Sequence, residues 1–227
     1  KKGVVFITIN YRLGVFGFLA HPELTAESPL KTSGNYGILD QIAALKRISR
    51  NIESFGGDPG NVTIAGQSAG SLSVNALMIS PLVKGLFHRA IGQSGGMFSG
   101  GPGLVYDLKS AESAGVSFAG QFPDSSIAGL RTLPAEELMK VRSRSGVTTD
   151  NIVVPPATET FSEGRQNDVP LLAGWNADDG VSMGSSPDMK AFIANAESRY
   201  GEMAPEYLKL FPANNEAEVQ SSMKLSS

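Results

Sequence analysis

The chain has 227 residues, 41% of them hydrophobic, which suits one globular α/β domain or a large piece of one and allows a sizeable core. Its 19 basic and 22 acidic residues leave a net charge of −3 without any basic run, so a nucleic-acid or anionic-membrane role has no electrostatic support. Cysteine is absent and the two histidines, His21 and His88, lie far apart, which excludes disulfides and thiolate metal sites and argues against a His-rich metal centre.

The chain opens on Lys1-Lys2-Gly3 and a hydrophobic run, Val4-Val5-Phe6-Ile7-Thr8-Ile9-Asn10. The run is β-branched, ends in a polar turn and lacks an Ala-x-Ala cleavage pattern, so it reads as a buried strand of a parallel sheet over 3–10 rather than a signal peptide. A start in mid-strand without an initiator Met predicts upstream sequence, and no targeting segment indicates a compartment. No apolar run approaches the ~20 residues that span a bilayer. Gly14, Gly17 and Pro22 mark a loop to about residue 36. Ile38, Leu39, Ile42, Leu45 and Ile48 have helical spacing over 38–50. A turn cluster over 55–60 precedes the short strand Val62-Thr63-Ile64-Ala65. That strand runs into Gly66-Gln67-Ser68-Ala69-Gly70 and a helix ending near Ser80-Pro81, and residues 89–94 read as a third strand. This alternation predicts βαβ units.

Beyond residue 100 the character changes. Residues 107–145 read as several short amphipathic helices punctuated by Pro123 and Pro134, 169–174 as a further strand, and 187–223 as mostly helical. The expected organisation is a single α/β domain: a sheet core over 1–100, a helical insertion over 101–168, and a strand with helices over 169–227.

Gly66-Gln67-Ser68-Ala69-Gly70 fits the G-x-S-x-G nucleophile elbow. A serine between strand and helix sits on a sharp, strained turn that exposes its Oγ. Gly66 and Gly70 fit where Cβ atoms would clash with neighbouring strands. The amide of Ala69, at the helix start, is an unpaired donor suited to a developing oxyanion. By itself the pentapeptide is equally compatible with an ordinary Gly-rich turn from strand to helix.

The wider stretch Phe55-Gly56-Gly57-Asp58-Pro59-Gly60-Asn61-Val62-Thr63-Ile64-Ala65-Gly66-Gln67-Ser68-Ala69-Gly70 resembles the serine signature of the type-B carboxylesterases, the family of cholinesterases and para-nitrobenzyl esterases. Asn10-Tyr11-Arg12-Leu13-Gly14, Gly34-Asn35-Tyr36-Gly37-Ile38-Leu39-Asp40-Gln41, Leu86-Phe87-His88-Arg89-Ala90-Ile91 and Gln93-Ser94-Gly95 are similar to the same family. The resemblance is dense over 3–98 and resumes over 169–180. It implies an α/β-hydrolase fold, a mostly parallel sheet with flanking helices, here incomplete. It also implies ester hydrolysis through an acyl-enzyme on Ser68, without cofactor or metal. Gly66, Gln67 and Gly70 would support the elbow.

The family carries its triad acid in a Gly-x-Asn-x-x-Glu-Gly stretch, and the corresponding run is Gly174-Trp175-Asn176-Ala177-Asp178-Asp179-Gly180. The acid position falls on Asp179, with Asp178 as the alternative; Asp in place of the usual Glu is a departure. The expected order is Ser, acid, His, yet no histidine follows Asp179. His21 and His88 both read as structural. The base and the Gly-rich HGGG-type oxyanion segment are therefore expected outside these residues. Two other readings stand beside the esterase. One is a non-catalytic binding or adhesion module of the same fold; the other is an inactive fragment that needs a companion segment. The expected partner is a small-molecule ester, with self-association through an exposed sheet edge.

Overall fold

In the computed structural model the described residues are 3–98, 105–143, 146–176, 179 and 188–226. They divide into two compact units, Lys1–Ala173 and Gly174–Ser227. In the first unit, short helices α1 (Gly14–Phe18) and α2 (Pro22–Glu27) occupy the stretch the sequence reads as loop. His21 caps α2: its Nδ1 accepts the Glu23 amide at 3.2 Å, and Pro22 at the first helical position needs no acceptor. Helix α3 (Tyr36–Asn51) is followed by strand β1 (Thr63–Gln67), helix α4 (Ala69–Ile79) and strand β2 (Arg89–Gln93).

β1 and β2 are parallel, in register from Thr63 opposite Arg89 to Gln67 opposite Gln93. Parallel neighbours require a crossover, and α4 supplies it. Strand β5 (Leu171–Gly174) extends this sheet beyond β2, giving the order β1-β2-β5. The core explains the helix compositions. α3 buries Ile38, Ile42 and Leu45 on one stripe, as an amphipathic helix does. α4 lies between α3 and the sheet strands and buries Leu72, Val74, Ala76, Leu77, Met78 and Ile79, so it is apolar nearly all round. The buried Gln41 amide donates to Ser73 Oγ at 3.0 Å and ties the two helices together.

The region after residue 100 holds two elements that periodicity does not predict. Strands β3 (Val105–Asp107) and β4 (Val147–Thr149) form a separate two-stranded parallel sheet. Helix α5 (Leu108–Ala119) follows β3, capped by Asp107, whose carboxylate accepts the Ser110 amide and hydroxyl and is held below the usual carboxylate range by them. With α6 (Ile127–Leu130) and α7 (Ala135–Lys140) it builds a second core around Phe118, Ala119, Ile127 and Leu130. Helix α8 (Ala157–Ser162) precedes β5. The second unit contains α9 (Met189–Tyr200), α10 (Ala204–Leu210) and α11 (Glu216–Ser226) around Phe192, Ala213 and Val219.

The predicted strand over 3–10 is corrected. These residues form no ladder, and Phe6 is 85% exposed. Apolar β-branched sequence favours an extended chain, but a strand exists only through a neighbour's hydrogen bonds. Among the described residues none is offered to it.

Two polar knots hold the first unit. Arg12 donates to Asp40 three times, from its backbone amide at 3.0 Å, Nε at 2.8 Å and an Nη at 2.7 Å. Its guanidinium also lies over the Tyr36 ring, 5.6 Å from the centroid. The pair joins the Asn10-Tyr11-Arg12 segment to the first turns of α3. Asp150 is buried and accepts five hydrogen bonds. One oxygen takes the amides of Ile152, Val153 and Val154 at 2.8–3.0 Å; the other takes Thr32 Oγ1 at 2.6 Å and Asn35 Nδ2 at 3.2 Å. Asn35 also closes a two-way bond with the Thr148 backbone.

Asp150→Ala therefore leaves three amides and two side-chain donors without their acceptor, and about 3 kcal/mol or more of unfolding free energy is expected to be lost. Urea denaturation at pH 7 measures it. Asp40 gives a pH-dependent counterpart. The Arg12 hydrogen bonds hold its carboxyl below the ordinary carboxylate range. A lowered folded-state value means stability that is present above the unfolded value of about 3.9 and is lost as pH falls through the folded one. The Arg12 side chain is 53% exposed and that of Asp40 27%, so solvent screens the pair and Asp40→Asn is expected to cost up to about 1 kcal/mol at pH 7. Denaturation curves recorded down the pH scale should show the two proteins converging below the carboxylate range.

Candidate active site

Ser68 lies between the last residue of β1 and the first of α4, the strand-to-helix turn that the motif predicts. Its backbone is at φ 53°, ψ −117°, a conformation that costs a non-glycine residue about 1–3 kcal/mol and persists only where the surroundings over-determine it. Those surroundings are specific. The Ser68 amide donates to the Gln93 carbonyl at 2.8 Å, extending the β1–β2 ladder one residue past the strand. The Ser68 carbonyl accepts Leu72 N at 3.1 Å and so starts α4. An N-cap serine ordinarily turns its hydroxyl onto the helix amides. Ser68 makes no such cap bond, and the residue is exposed.

Gly66 does need its missing side chain, but not against a neighbouring strand as expected: an added Cβ would lie 2.2 Å from the Gly70 carbonyl carbon and oxygen, in the first turn of α4. Gly70 does not. Its Cβ would meet nothing within 4 Å, so the expected clash there is corrected: the backbone of Gly70 is the obstacle, and the missing side chain of Gly66 is what lets the turn close. Gln67 is exposed, opposite Gln93 in the ladder. Ala69 is the first residue of α4, and its amide has no intrahelical acceptor. The elbow thus gathers Ser68, Ala69, Gly66, Gln67 and Gly70 within five consecutive residues.

A second strained turn faces the first. Ser94, one residue past β2, also has φ 53°, and Gly95 packs so closely that a Cβ on it would be 2.7 Å from the Ser68 carbonyl oxygen. No residue-type signal announces this; it follows from two parallel strands ending in register.

Both histidines are occupied. His21 Nδ1 accepts the Glu23 amide and His88 Nδ1 accepts the Val62 amide, each at 3.2 Å. A neutral imidazole has one acceptor nitrogen, so in each ring the remaining Nε2 carries the proton and is a donor. His88 is also at the wrong end of the sheet. Its amide bonds the Val62 carbonyl, six residues before Ser68, which is about 20 Å along a strand at ~3.3 Å per residue.

Asp179 belongs to the second unit, where it closes a small turn: its amide donates to the Asn176 carbonyl at 3.1 Å, and its Oδ2 accepts the Asn176 amide at 3.4 Å. Asp178 lies outside the described residues. Ser68 stands in the first unit. A surface cavity beside α5 is lined by Lys109, Ser113, Ser117, Phe118 and Arg142 among others, and none of the predicted site residues borders it. No helix among the described residues is long and apolar enough to cross a membrane.

Residues 1–223 match the carboxylesterase family. The chain is similar to a fumonisin B1 esterase of Sphingopyxis macrogoltabida, 36% identical over 98% of this chain and 43% of that protein. It is similar also to the para-nitrobenzyl esterase of Bacillus subtilis (strain 168), 33% identical over 95% of this chain and 46% of that protein. A solved PNB esterase superposes with a TM-score of 0.74 at 32% identity, covering 95% of this chain and 47% of its own. The chain therefore spans a little under half the length of the relatives it matches. With that architecture, an α/β-hydrolase sheet carrying a serine elbow, and a family match over nearly every residue, this chain belongs to the carboxylesterase family.

Proposed function

We propose that Ser68 is the nucleophile of a serine carboxylic-ester hydrolase working through an acyl-enzyme. The observation that carries this is the Ser68 backbone at φ 53°, which keeps an N-cap hydroxyl off the helix and exposed at the carboxyl end of β1. Oγ attacks the ester carbonyl carbon and its proton passes to an imidazole. The tetrahedral oxyanion is held in part by the Ala69 amide, the alcohol leaves, and water hydrolyses the acyl-serine. Asp179 is the acid that orients the imidazole and stabilises its charge, with Asp178 as the alternative. Gly66, Gln67 and Gly70 form the elbow's backbone. Because the acceptor nitrogens of His21 and His88 are both engaged, the imidazole is neither of them. The names of the relatives, esterases of fumonisin B1 and of para-nitrobenzyl esters, support a carboxylic ester as the substrate class. A non-catalytic binding role draws no support from a chain that retains a serine at the elbow.

The test is p-nitrophenyl acetate hydrolysis by protein expressed from its complete reading frame. Ser68→Ala should lower kcat/KM by about 10³-fold or more, and Asp179→Asn by about 10³-fold with little change in KM. If Asp179→Asn is silent and Asp178→Asn is not, the acid moves by one residue. The 227 residues expressed alone should turn over the ester far more slowly, because a serine hydroxyl without a base is a weak nucleophile. Robust Ser68-dependent turnover by that polypeptide would show that a base is present within it after all.

A further inference from the structure

Ser71 is the third residue of α4 and is fully buried, with 0% of its surface exposed. Its hydroxyl donates to the Gly95 carbonyl at 2.6 Å. We propose that Ser71 is a positioning residue for Ser68, locking the Ser94-Gly95 turn against the nucleophile elbow through this hydrogen bond. The inference rests on the reading of Ser68 as nucleophile.

Three contacts place the hydroxyl at the junction of the two strained turns. A Cβ on Gly92 would lie 2.8 Å from Ser71 Oγ, so the hydroxyl sits directly over β2 and has room only because residue 92 is glycine. A Cβ on Gly95 would lie 2.7 Å from the Ser68 carbonyl oxygen and 3.1 Å from Ser71 Cβ, so the Gly95 backbone is pressed against both serines. Ser68 and Ser94 share φ 53° at matching positions past two strands in register. The Ser68 amide to Gln93 carbonyl bond joins the turns at their start. The Ser71 hydroxyl joins them again beyond Ser94. A turn pinned at both ends cannot slide, and strained backbone persists only under such over-determination.

A small buried residue could equally be there to fill space. Alanine would fill it as well, but alanine cannot donate. Loss of one hydrogen bond to the Gly95 carbonyl costs about 1–3 kcal/mol, so the fold should survive the exchange. What is lost is the fixed position of the turn that braces Ser68, and misplacement of a reacting group by about 1 Å can cost 10²-fold in rate.

The experiment compares wild type, Ser71→Ala and Gly95→Ala, expressed from the complete reading frame. Each is assayed for ester hydrolysis and for the rate at which a fluorophosphonate labels Ser68, located by mass spectrometry and normalised to folded protein. Ser71→Ala is expected to lower kcat and the labelling rate about 10- to 100-fold, with KM within about twofold and melting temperature within about 5 °C of wild type. Gly95→Ala keeps the Ser71 hydroxyl but drives a Cβ at the Ser68 carbonyl, and should give the same signature. Wild-type kcat and labelling in folded Ser71→Ala overturn the proposal. Should Ser71→Ala not fold, wild-type rates in Gly95→Ala overturn it. Failure of wild type itself to be labelled at Ser68 instead sinks the nucleophile reading.

Discussion

The positive φ of Ser68 is the constraint around which the first unit is organised. Left to itself, a serine at the start of a helix takes an extended backbone and spends its hydroxyl on the helix amides. The strained alternative is held because its amide is committed to β2 through Gln93 and its carbonyl to α4 through Leu72. To relax φ, one of those two bonds would have to break. The sheet and the helix therefore fix the turn from opposite sides, and the exposed hydroxyl is what remains uncommitted.

That arrangement depends in turn on how firmly β1, β2 and α4 are held. α4 is apolar on nearly every side and would not be stable as a solvent-facing helix. Packing against α3 and the strands buries Leu72, Leu77 and Ile79 with Ile38, Ile42 and Ile64 in one cluster. A core packed at crystal-like density transmits small displacements instead of absorbing them. The glycines are the complementary device. Gly66 and Gly95 each lie where a Cβ would come within 3 Å of the elbow's own atoms, and Gly92 where it would come within 3 Å of Ser71 Oγ, so the chain approaches itself here more closely than side chains permit.

Much of this is written locally and was legible in the sequence. The apolar stripe of α3, the β1–elbow–α4 unit and the second strand at 89–93 follow from period and motif, because each is decided by residues within one or two turns of itself. The strand over 3–10 was misread for the opposite reason: its composition is that of a strand, but a strand is a property of a pair, and the partner is not written in the segment. β3 and β4 were missed on the same ground, being three residues each and separated by some forty residues of chain. At the site, Ser68, Ala69 and Gly66 were visible as a spacing. The clash expected at Gly70 was not found, since which glycine of a G-x-S-x-G needs its missing side chain depends on the direction in which each Cα–Cβ vector would point. The second strained turn at Ser94 carries no residue-type signal; it is a consequence of register.

The parallel topology also decides where chemistry can gather. In open α/β sheets the crevice lies beyond the carboxyl ends of the strands, because there the chain turns into helices whose first amides are unpaired. β1 and β2 both end there, and their next residues are Ser68 and Ser94. The amino end of the same sheet is closed differently. There His88 accepts Val62 N and returns its own amide to the Val62 carbonyl, and Asn61 accepts from the Arg89 guanidinium, so the polar groups pair with one another and leave little to react. An imidazole spent on a backbone amide is a structural element, and its distance from Ser68 is set by the length of a strand. The two ends of this sheet thus differ in kind: one satisfies its polar groups internally, and the other holds a hydroxyl and a helix amide that no intrahelical bond consumes, the asymmetry on which the proposed acyl transfer at Ser68 rests.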